Sequence, residues 1–422
     1  MSTDRSDCRR HNRATRRGRE DRLPVRTTFL PYHLPSIGEA EIESVVETLR
    51  SGWLTTGPKT KQFEAAFATA VGATHAVAVN SCTAGLHLAL DAVGLARGDE
   101  VVLPTMTFAA TAEVVAYFDA TPVLVDCQRD TYNLDPALAA AAVTPRTRAI
   151  IPVHYAGQAC DMSEIMATAA DHGLPVIEDA AHSLPASYRG SPIGRIGDIT
   201  CFSFYATKTL STGEGGMLTT ESAALADRMR IMSLHGISRD AWKRYTAEGS
   251  WYYEILRPGF KYNLTDVASS LGLEQLKRQQ EFLEARRRIA ARYSEAFADL
   301  DEVRCPVVKT DRDHAWHLYV IEVDATRLCI ARDEFIDAMR QQGIGTSVHF
   351  IPLHMHPYYK ERFGFTPEDF PNASAIYQRI VSLPIYPAMT DADIDDVIGS
   401  VRAIVQRERQ PQVAISAEGV AR

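Results

Sequence analysis

Short apolar runs alternate with helical patterns over the first half of this chain. Seven runs rich in Val, Ile and Leu predict β-strands at 76–80, 101–104, 122–126, 149–154, 175–179, 199–204 and 217–220. Apolar residues at helical spacing between the first five runs predict helices over 84–95, 110–118, 135–142 and 162–172. Near-continuous apolar strands separated by helices are typical of a sheet that is buried on both faces. We therefore predict an α/β fold with a mostly parallel central sheet and helices on both faces.

The pattern changes after residue 263. A long stretch with helical spacing covers residues 265–297. Beyond it, two strands are predicted at 318–323 and 345–350, and two helices at 333–341 and 391–407. These elements predict a smaller α+β domain. We divide the chain into an Arg-rich disordered tail, a large domain, a small C-terminal domain and a frayed tail, at 1–26, 27–275, 276–408 and 409–422.

The charge of the chain is unevenly distributed. Its 422 residues carry a formal net charge of −8, yet residues 1–26 contain nine arginines and only four acidic residues. The remainder is therefore strongly acidic, which argues against nucleic-acid binding as the main function. The tail has no apolar periodicity and is interpreted as disordered. A nucleic-acid-binding arm and a misassigned start codon are the alternatives for this segment.

Two further observations concern the cellular compartment. No apolar run approaches the roughly 20 residues of a membrane-spanning helix, and the N-terminus lacks the apolar stretch of a signal peptide. The seven cysteines are widely spaced and form no CxxC pair, which favours reduced thiols over a disulfide framework or a zinc site. We therefore expect a cytoplasmic enzyme that does not associate with membranes.

Three local features carry candidate chemistry. The strand at 76–80 runs into Ser81-Cys82-Thr83-Ala84-Gly85 and then a helix, whose free N–H groups and dipole favour an anion. Asp179 ends another strand, at the sheet edge where ligands bind in α/β folds, and His182 follows it. Lys208 lies between an apolar strand and a Gly-rich turn, where burial would make its amine a nucleophile towards carbonyls. Taken singly, these features are also compatible with helix caps, a structural histidine and a solvated lysine.

As a set, the three features match what pyridoxal 5′-phosphate requires. The helix N-terminus would hold the phosphate, and a lysine lies 29 residues after the carboxylate. The carboxylate keeps the pyridine nitrogen protonated so that the ring acts as an electron sink, and the lysine forms a Schiff base. An aromatic side chain would support the ring face. The sequence therefore predicts pyridoxal phosphate as the cofactor.

Six segments resemble those of the DegT/DnrJ/StrS family of sugar aminotransferases, in order and at the expected spacing. They are NSCTAGLHLAL, PTMTFAATAEVV, VHYAGQACDM, IEDAAHS, CFSFYATKTLSTGEGGM and PGFKYNLTD. The resemblance extends from about residue 31 to about residue 404. It implies a fold-type I transferase that works as a homodimer, uses pyridoxal phosphate bound by the large domain, and usually takes L-glutamate as amino donor.

The resemblance assigns roles around the cofactor ring. Lys208 would form the Schiff base and act as the general base of the proton shift, and Asp179 would pair with the pyridine nitrogen. His182, where relatives often carry Gln, would lie near the ring hydroxyl, and Phe108 would stack on the ring. Family members that dehydrate sugars replace the lysine by histidine, so its presence here favours transamination.

The resemblance also assigns the residues that hold the cofactor phosphate. Thr83 and Ala84 would bind it, helped by Ser203, five residues before the lysine. Asn263, in KYNLTD, would reach the phosphate of the other subunit. Active sites shared between two subunits are therefore expected.

The substrate side carries fewer signals. The segment HGISRDAWKRYTAEGSWYYE resembles members that aminate the 4-keto group of nucleotide-linked sugars, including UDP-4-keto-arabinose. A sugar pyrophosphate calls for cations at the site mouth, and Arg239 and Lys243 lie in this segment, although a solvated charged loop is an alternative. Thr55 in WLTTG would line the sugar pocket, and His349 matches a position where relatives place a substrate-facing residue. His354 and His356 have no third ligand at metal spacing, so we predict no metal site.

We therefore predict transamination of a keto sugar, most specifically a nucleotide-linked 4-keto sugar, with L-glutamate giving the amino sugar and 2-oxoglutarate. One alternative stays within the family: amination of a cyclitol ketone or of an aminohydroxybenzoate-type precursor. The other alternative is of a different class, a non-catalytic regulatory protein that binds pyridoxal phosphate. No nucleic-acid partner is expected.

Overall fold

A computed structural model describes residues 26–238 and 252–410. The strands are β1 His75–Val79, β2 Glu100–Pro104, β3 Thr121–Val125, β4 Thr147–Ile150, β5 Ile177–Asp179, β6 Ser187–Tyr188, β7 Ser191–Pro192, β8 Ile199–Ser203, β9 Gly216–Thr220, β10 Val303–Arg304, β11 Arg312–Asp313, β12 Tyr319–Val323 and β13 Ile380–Leu383. The α-helices are α1 Glu39–Ser51, α2 Pro58–Val71, α3 Cys82–Ala92, α4 Ala109–Ala116, α5 Pro136–Ala141, α6 Met162–His172, α7 Ala223–Ser233, α8 Asp266–Lys277, α9 Gln279–Phe297, α10 Arg332–Gln341, α11 Pro357–Phe363, α12 Pro371–Tyr377 and α13 Asp391–Glu408.

Seven strands of the first half form the central sheet, in the order β1-β9-β8-β5-β4-β2-β3. Strands β5 and β4 meet through the isolated parallel bridges Ile150–Val176 and Val153–Asp179. All neighbours pair in parallel except β9, which is antiparallel to both β1 and β8. Most of the strand residues are buried, as expected for a sheet covered by helices on both faces. The predicted α/β fold with a mostly parallel central sheet is confirmed.

The predicted helix over 265–297 is two helices. Helix α8 ends at Lys277 and α9 begins at Gln279, with Arg278 between them at φ −95° and ψ 3°. The guanidinium of Arg278 contacts Glu41 on α1 and Glu281 on α9. Because helical spacing of apolar residues continues across the break, the hydrophobic pattern gave no sign of it.

The predicted strand over 345–350 is wrong. In this segment only isolated bridges form, between Ile344 and Leu30 and between Ser347 and Ser382. The amide of Gly345 donates to the carbonyl oxygen of Leu30 at 2.8 Å. The segment pairs at single residues with two different neighbours, Gly345 with Leu30 and Ser347 with Ser382 on β13, so no continuous strand forms.

The second half builds a smaller three-stranded antiparallel sheet in the order β10-β12-β13. Its core contains apolar side chains of α9, α10 and α13. Arg26, the last residue of the predicted tail, hydrogen-bonds Asp393 at 2.7 Å and Asp396 at 2.5 Å on α13. The segment that begins at Arg26 therefore packs against the elements around the smaller sheet, with Leu30 in their core. Residues 1–25 lie outside the described part.

Among the cysteines that the structure describes, five carry free thiols, namely Cys82, Cys127, Cys160, Cys201 and Cys305. Cys329 is disulfide-bonded, so the expectation of reduced thiols throughout is wrong at this position. Sequence spacing alone does not show which distant segments meet. Within the described residues, no helix combines the length and apolar character needed to cross a membrane.

Candidate active site

The N-terminus of α3 points its free amides to the carboxyl edge of the central sheet. Ser81 is its N-cap, and the hydroxyl oxygen of Ser81 accepts a hydrogen bond from the amide of Ala84 at 3.1 Å. The amides of Cys82 and Thr83 have no intrahelical acceptor, as in the first turn of any helix. Together with the helix dipole they form a place for an anionic group. Of the two residues predicted here, Thr83 offers a free amide, whereas the amide of Ala84 already donates to the hydroxyl of the N-cap residue Ser81.

Gly216 brings two further segments to this helix end. It begins β9 and pairs with Ser203 at the end of β8. A Cβ atom at Gly216 would lie 2.7 Å from the carbonyl carbon of Ser81 and 2.8 Å from the amide nitrogen of Cys82. Only glycine permits so close an approach. Ser203 is thereby held next to the N-terminus of α3, where its predicted role places it.

Lys208 lies in the loop that connects β8 to β9. Two backbone hydrogen bonds hold the loop. The amide of Phe204 donates to the carbonyl oxygen of Gly215, and the amide of Lys208 donates to the carbonyl oxygen of Tyr205. The side chain of Lys208 is partly buried. Burial lowers its pKa from 10.5 to about 8, and the neighbouring Cys82 and Asp179 partly oppose this shift. A substantial fraction of the amine is therefore uncharged and nucleophilic near neutral pH.

Asp179 ends β5 with only 5% of its surface exposed. Its Oδ2 accepts a hydrogen bond from the hydroxyl of Thr111 at 2.8 Å, and its Oδ1 accepts one from the amide of Ala181 at 3.2 Å. Thr111 in turn lies 2.8 Å from the hydroxyl of Thr107. Burial raises the pKa of Asp179, while these hydrogen bonds and Lys208 act in the opposite direction. A cation bound beside this carboxylate would find a preformed partner.

Aromatic rings form the wall opposite the sheet. The ring of Phe350 stacks on His182 at a centroid distance of 5.7 Å and lies 6.0 Å from Phe108, which is 62% exposed. His182 is buried, and its Nδ1 has no hydrogen-bond partner. Burial and the nearby Lys208 hold the pKa of His182 well below its usual value. His182 is therefore a neutral imidazole with unused hydrogen-bonding capacity.

His349 lies on the same side of the site. Its Nδ1 lies 2.9 Å from the hydroxyl of Ser382, and its carbonyl oxygen accepts a hydrogen bond from Tyr155. Burial lowers the pKa of His349 to about 4, and Lys208 adds to the effect. The structure thus brings His349 close enough to Lys208 for the two to interact electrostatically.

The segments that contain Asn263 and Thr55 contact each other. Asn263 forms a bridge with Val79 at the end of β1, and its Nδ2 donates to the hydroxyl of Thr56 at 2.7 Å. Thr55 is exposed, and its carbonyl oxygen accepts the amide of Asp266 at 3.2 Å. The role of Asn263 at a partner's phosphate stays a prediction. Arg239 and Lys243 lie outside the described residues.

Three contributors to the site were missed at the sequence level. Thr111 supports the carboxylate of Asp179, Gly216 joins the two halves of the anion site, and Phe350 stacks on His182. Thr107 and Thr111 are four residues apart in PTMTFAATAEVV, a spacing that places two hydroxyls on one side of a helix start. That spacing was the available signal for Thr111. No comparable signal marks Phe350.

These residues fit pyridoxal phosphate. The free amides at α3 suit a phosphate, the buried carboxylate of Asp179 suits a protonated pyridine nitrogen, and the amine of Lys208 suits an aldehyde. The unpaired Nδ1 of His182 is free for a further polar contact. As for metals, the described residues contain no group of three or more His, Cys, Asp or Glu side chains arranged to hold an ion.

The chain is similar to proteins of known sequence and structure. The spore coat polysaccharide biosynthesis protein SpsC of Bacillus subtilis is 54% identical over 382 residues, which cover 90% of this chain and 98% of SpsC. The PLP form of Spr1654, a candidate sugar aminotransferase of Streptococcus pneumoniae, is 34% identical and has a TM-score of 0.84, with 90% of this chain and 99% of Spr1654 covered. DesI in the presence of its TDP-sugar product is 33% identical with a TM-score of 0.80, covering 91% of this chain and 95% of DesI. The DegT/DnrJ/EryC1/StrS aminotransferase family matches residues 35–402.

Proposed function

The chain belongs to the DegT/DnrJ/EryC1/StrS aminotransferase family, and we propose that it transfers the amino group of L-glutamate to a nucleotide-linked keto sugar. The family and its structural neighbours are pyridoxal-phosphate-dependent aminotransferases with a fold-type I architecture. The products would be the amino sugar and 2-oxoglutarate, and a 4-keto sugar is the specific substrate we propose. One observation carries the proposal: a lysine of lowered pKa lies between a buried carboxylate and a helix N-terminus.

Lys208 is the catalytic residue of this proposal. Bound pyridoxal phosphate supplies an electron sink for the electrons of a broken C–H bond. The Nζ atom of Lys208 would hold the cofactor aldehyde, and as the general base it would take up the proton of the donor carbon and return it. A pKa of about 8 suits both tasks near neutral pH, since the amine gains and loses a proton with little cost.

Asp179 holds the positive charge of the cofactor ring in this proposal. Its pairing with the pyridine nitrogen keeps that nitrogen protonated, which the electron sink requires. The hydrogen bond from Thr111 orients the carboxylate and favours its ionised form. Phe108 would stack on the ring, and His182 would lie near the ring hydroxyl.

In this proposal the cofactor phosphate is bound by residues of two subunits. Thr83, Ala84 and Ser203 would bind the phosphate in one subunit, and Asn263 would reach it from the other. Tyr205, three residues before Lys208, is 47% exposed in the single chain. Large aromatic side chains so exposed beside an active site are typical of surfaces covered by a partner. We therefore include a homodimer in the proposal.

The substrate assignment is supported by relatives and by charge. DesI is described with a TDP-sugar product, and SpsC is named for polysaccharide biosynthesis. A sugar pyrophosphate needs local cations in a chain of net charge −8, and Arg239 and Lys243 would supply them. Thr55 and His349 would contact the sugar. A cytoplasmic location, which the free thiols favour, belongs to the same proposal.

The test is a substrate screen with the purified enzyme. Nucleotide-linked 3-keto and 4-keto sugars and a cyclitol ketone are each incubated with L-glutamate, and release of 2-oxoglutarate is followed. We expect turnover with a nucleotide-linked 4-keto sugar and thermal stabilisation of the enzyme by that class of ligand. Turnover with the cyclitol ketone alone would favour the alternative in which the enzyme aminates cyclitol ketones. No turnover with any ketone would contradict the proposal.

A further inference from the structure

The carboxylate of Asp266 joins two segments of the candidate site that are far apart in the sequence. Asp266 is the first residue of α8, and only 1% of its surface is exposed. It contacts loop 53–57, which carries Thr55, and it follows Asn263 by three positions. The contacts of Asp266 therefore determine how these two predicted site residues lie relative to each other.

Asp266 holds the loop and the start of α2 through five hydrogen bonds. Its carboxylate accepts the amides of Gly57 at 2.7 Å, Thr60 at 2.9 Å and Lys59 at 3.1 Å, and the hydroxyl of Thr60 at 2.7 Å. Its own amide donates to the carbonyl oxygen of Thr55 at 3.2 Å. Gly57 is the N-cap of α2 and has no side chain that could accept these amides, so Asp266 supplies the cap from a distant segment. A carboxylate at this helix end also interacts favourably with the helix dipole.

Close packing fixes the shape of the loop. A Cβ atom at Gly57 would lie 1.9 Å from the indole nitrogen of Trp53 and 2.8 Å from Oδ2 of Asp266. The indole N–H of Trp53 donates to the carbonyl oxygen of Thr56 at 3.2 Å. The loop is therefore closed on itself by Trp53 and attached to α8 by Asp266.

Thr56 connects the same loop to Asn263. The hydroxyl of Thr56 donates to the carbonyl oxygen of Leu264 at 2.5 Å and accepts Nδ2 of Asn263 at 2.7 Å. On its other side, the amide group of Asn263 accepts a hydrogen bond from Nζ of Lys261. Loop 53–57 and Asn263 are therefore parts of one hydrogen-bonded unit, and a shift of the loop would also move Asn263.

We propose that Asp266 is a positioning residue that holds Thr55 and Asn263 in one unit, so that both residues serve the same active site. This inference rests on the proposed function, in which Thr55 contacts the sugar and Asn263 reaches the cofactor phosphate of the other subunit. The two active sites of a symmetric dimer are separate, and one small unit reaches only one of them. Loop 53–57 therefore lines the sugar pocket of the other subunit.

The first experiment compares the full-length wild type with Asp266→Ala, which removes the carboxylate, and Asp266→Asn, which keeps one acceptor oxygen. Asp135→Ala is the matched control, because Asp135 also caps a helix, α5, by accepting the amides of Ala137 and Leu138 at 2.9 and 3.1 Å. Steady-state kinetics give KM for L-glutamate and for the keto sugar that the substrate screen identifies. Absorbance titration of the cofactor-free protein gives Kd of pyridoxal phosphate, and thermal melting gives Tm.

We expect Asp266→Ala to raise both KM for the keto sugar and Kd of pyridoxal phosphate about tenfold, with KM for L-glutamate changed by less than about twofold. Asp266→Asn should lie between this variant and the wild type. Asp135→Ala should lower Tm but leave both KM values and Kd unchanged. A lower Tm of Asp266→Ala with unchanged KM and Kd would show that Asp266 is a helix cap alone, and would overturn the inference. If Asp266→Ala does not fold, Asp266→Asn decides by the same two constants.

A mixed dimer tests which active site the loop serves. Lys208→Ala and Asp266→Ala chains carry different affinity tags, and the mixed dimer is purified through both. Its one working lysine belongs to the Asp266→Ala chain, so a loop that serves the other subunit reaches this lysine intact, and KM for the keto sugar should equal the wild-type value. A KM as high as that of the Asp266→Ala homodimer would overturn the inference.

Failure of the proposed function gives different results. A wild type that turns over no keto sugar would refute the proposed function, whereas the positioning role of Asp266 is still decided by Kd of pyridoxal phosphate. A wild type that forms no dimer would refute both the homodimer of the proposed function and the assignment of the loop to the other subunit.

Discussion

The hydroxyl of Thr111 donates a hydrogen bond of 2.8 Å to Oδ2 of Asp179, although the two residues are 68 positions apart. Thr111 lies on α4 and Asp179 at the end of β5, and both are buried. Burial raises the pKa of the carboxyl group, and the hydrogen bond lowers it. Of the groups that favour the ionised state of Asp179, the hydroxyl of Thr111 has the largest effect, ahead of the amide of Ala181 and the charge of Lys208.

Replacing Thr111 by Val keeps the side-chain shape and removes the donor. We expect this change to cost about 1–3 kcal/mol in the free energy of unfolding, because Oδ2 of Asp179 loses its partner. The pKa of Asp179 should rise further, so the acid limb of the activity profile should move to higher pH. Thr168→Val on α6, where the hydroxyl is exposed and bonds Glu164 at 3.2 Å, is the control. An unchanged acid limb would show that Thr111 does not tune Asp179.

Replacing Lys208 by Ala should abolish turnover while leaving the fold intact. The variant loses the covalent attachment of the cofactor and the group that moves the proton, and we expect kcat to fall by a factor of roughly 10³ or more. Steady-state kinetics and the absorbance of the bound cofactor measure the two losses separately. Residual turnover close to the wild type would mean that another residue acts as the base.

The lowered pKa of Lys208 predicts how cofactor attachment depends on pH. Only the uncharged amine reacts with the aldehyde, so the attachment rate of the cofactor-free protein should rise with pH and level off above about 8. The charge of Asp179 raises the pKa of Lys208, so Asp179→Asn should move the midpoint to lower pH. Stopped-flow absorbance across this pH range tests both statements. A midpoint near 10.5, the ordinary value for lysine, would contradict the burial of the amine.

Gly216 allows β9 to touch the N-terminus of α3. A Cβ atom there would lie 2.7 Å from the backbone of Ser81, so Gly216→Ala must displace the anion site, at a cost of about 1–3 kcal/mol. We expect weaker binding of pyridoxal phosphate and a lower melting temperature. Gly85→Ala is the matched control, since its Cβ would meet Leu218 at an ordinary 3.5 Å. Equal effects of the two substitutions would contradict the inference that β9 needs glycine at position 216 to approach the N-terminus of α3.

A mixing experiment separates a shared site from a single-chain site at Asn263. If Asn263 serves the partner's cofactor, mixed dimers of Lys208→Ala and Asn263→Ala contain one intact site each. Co-expressed in equal amounts, the two inactive variants should then recover about a quarter of the wild-type activity. If Asn263 acts within its own chain, where it already bonds Thr56, both sites of the mixed dimer are defective and no activity returns.

The local pattern of apolar and polar residues predicted the central sheet and two residues of the candidate site. The alternation of apolar runs and helical spacing gave the central sheet, because burial on both faces makes each parallel strand continuously apolar. Asp179 was found because it ends a strand, and Lys208 because it lies in the loop that follows one. Strand ends meet at the ligand-binding edge of such sheets. Six segments, among them the one around Lys208, carried the family resemblance, which the comparison with the family confirmed.

Contacts between distant segments were decided only by the tertiary structure. Thr111 donates to Asp179, Gly216 packs against the backbone of Ser81, and the guanidinium of Arg286 donates to the carbonyl oxygen of His317. The strand order and the packing of α9 bring these separate segments together. The segment 345–350 was predicted as a strand, yet it pairs at single residues with two different segments, at Leu30 and at Ser382. Periodicity reports which face of an element is buried. It does not report which residue covers that face, so the supporting residues of the site could be identified only in the folded chain.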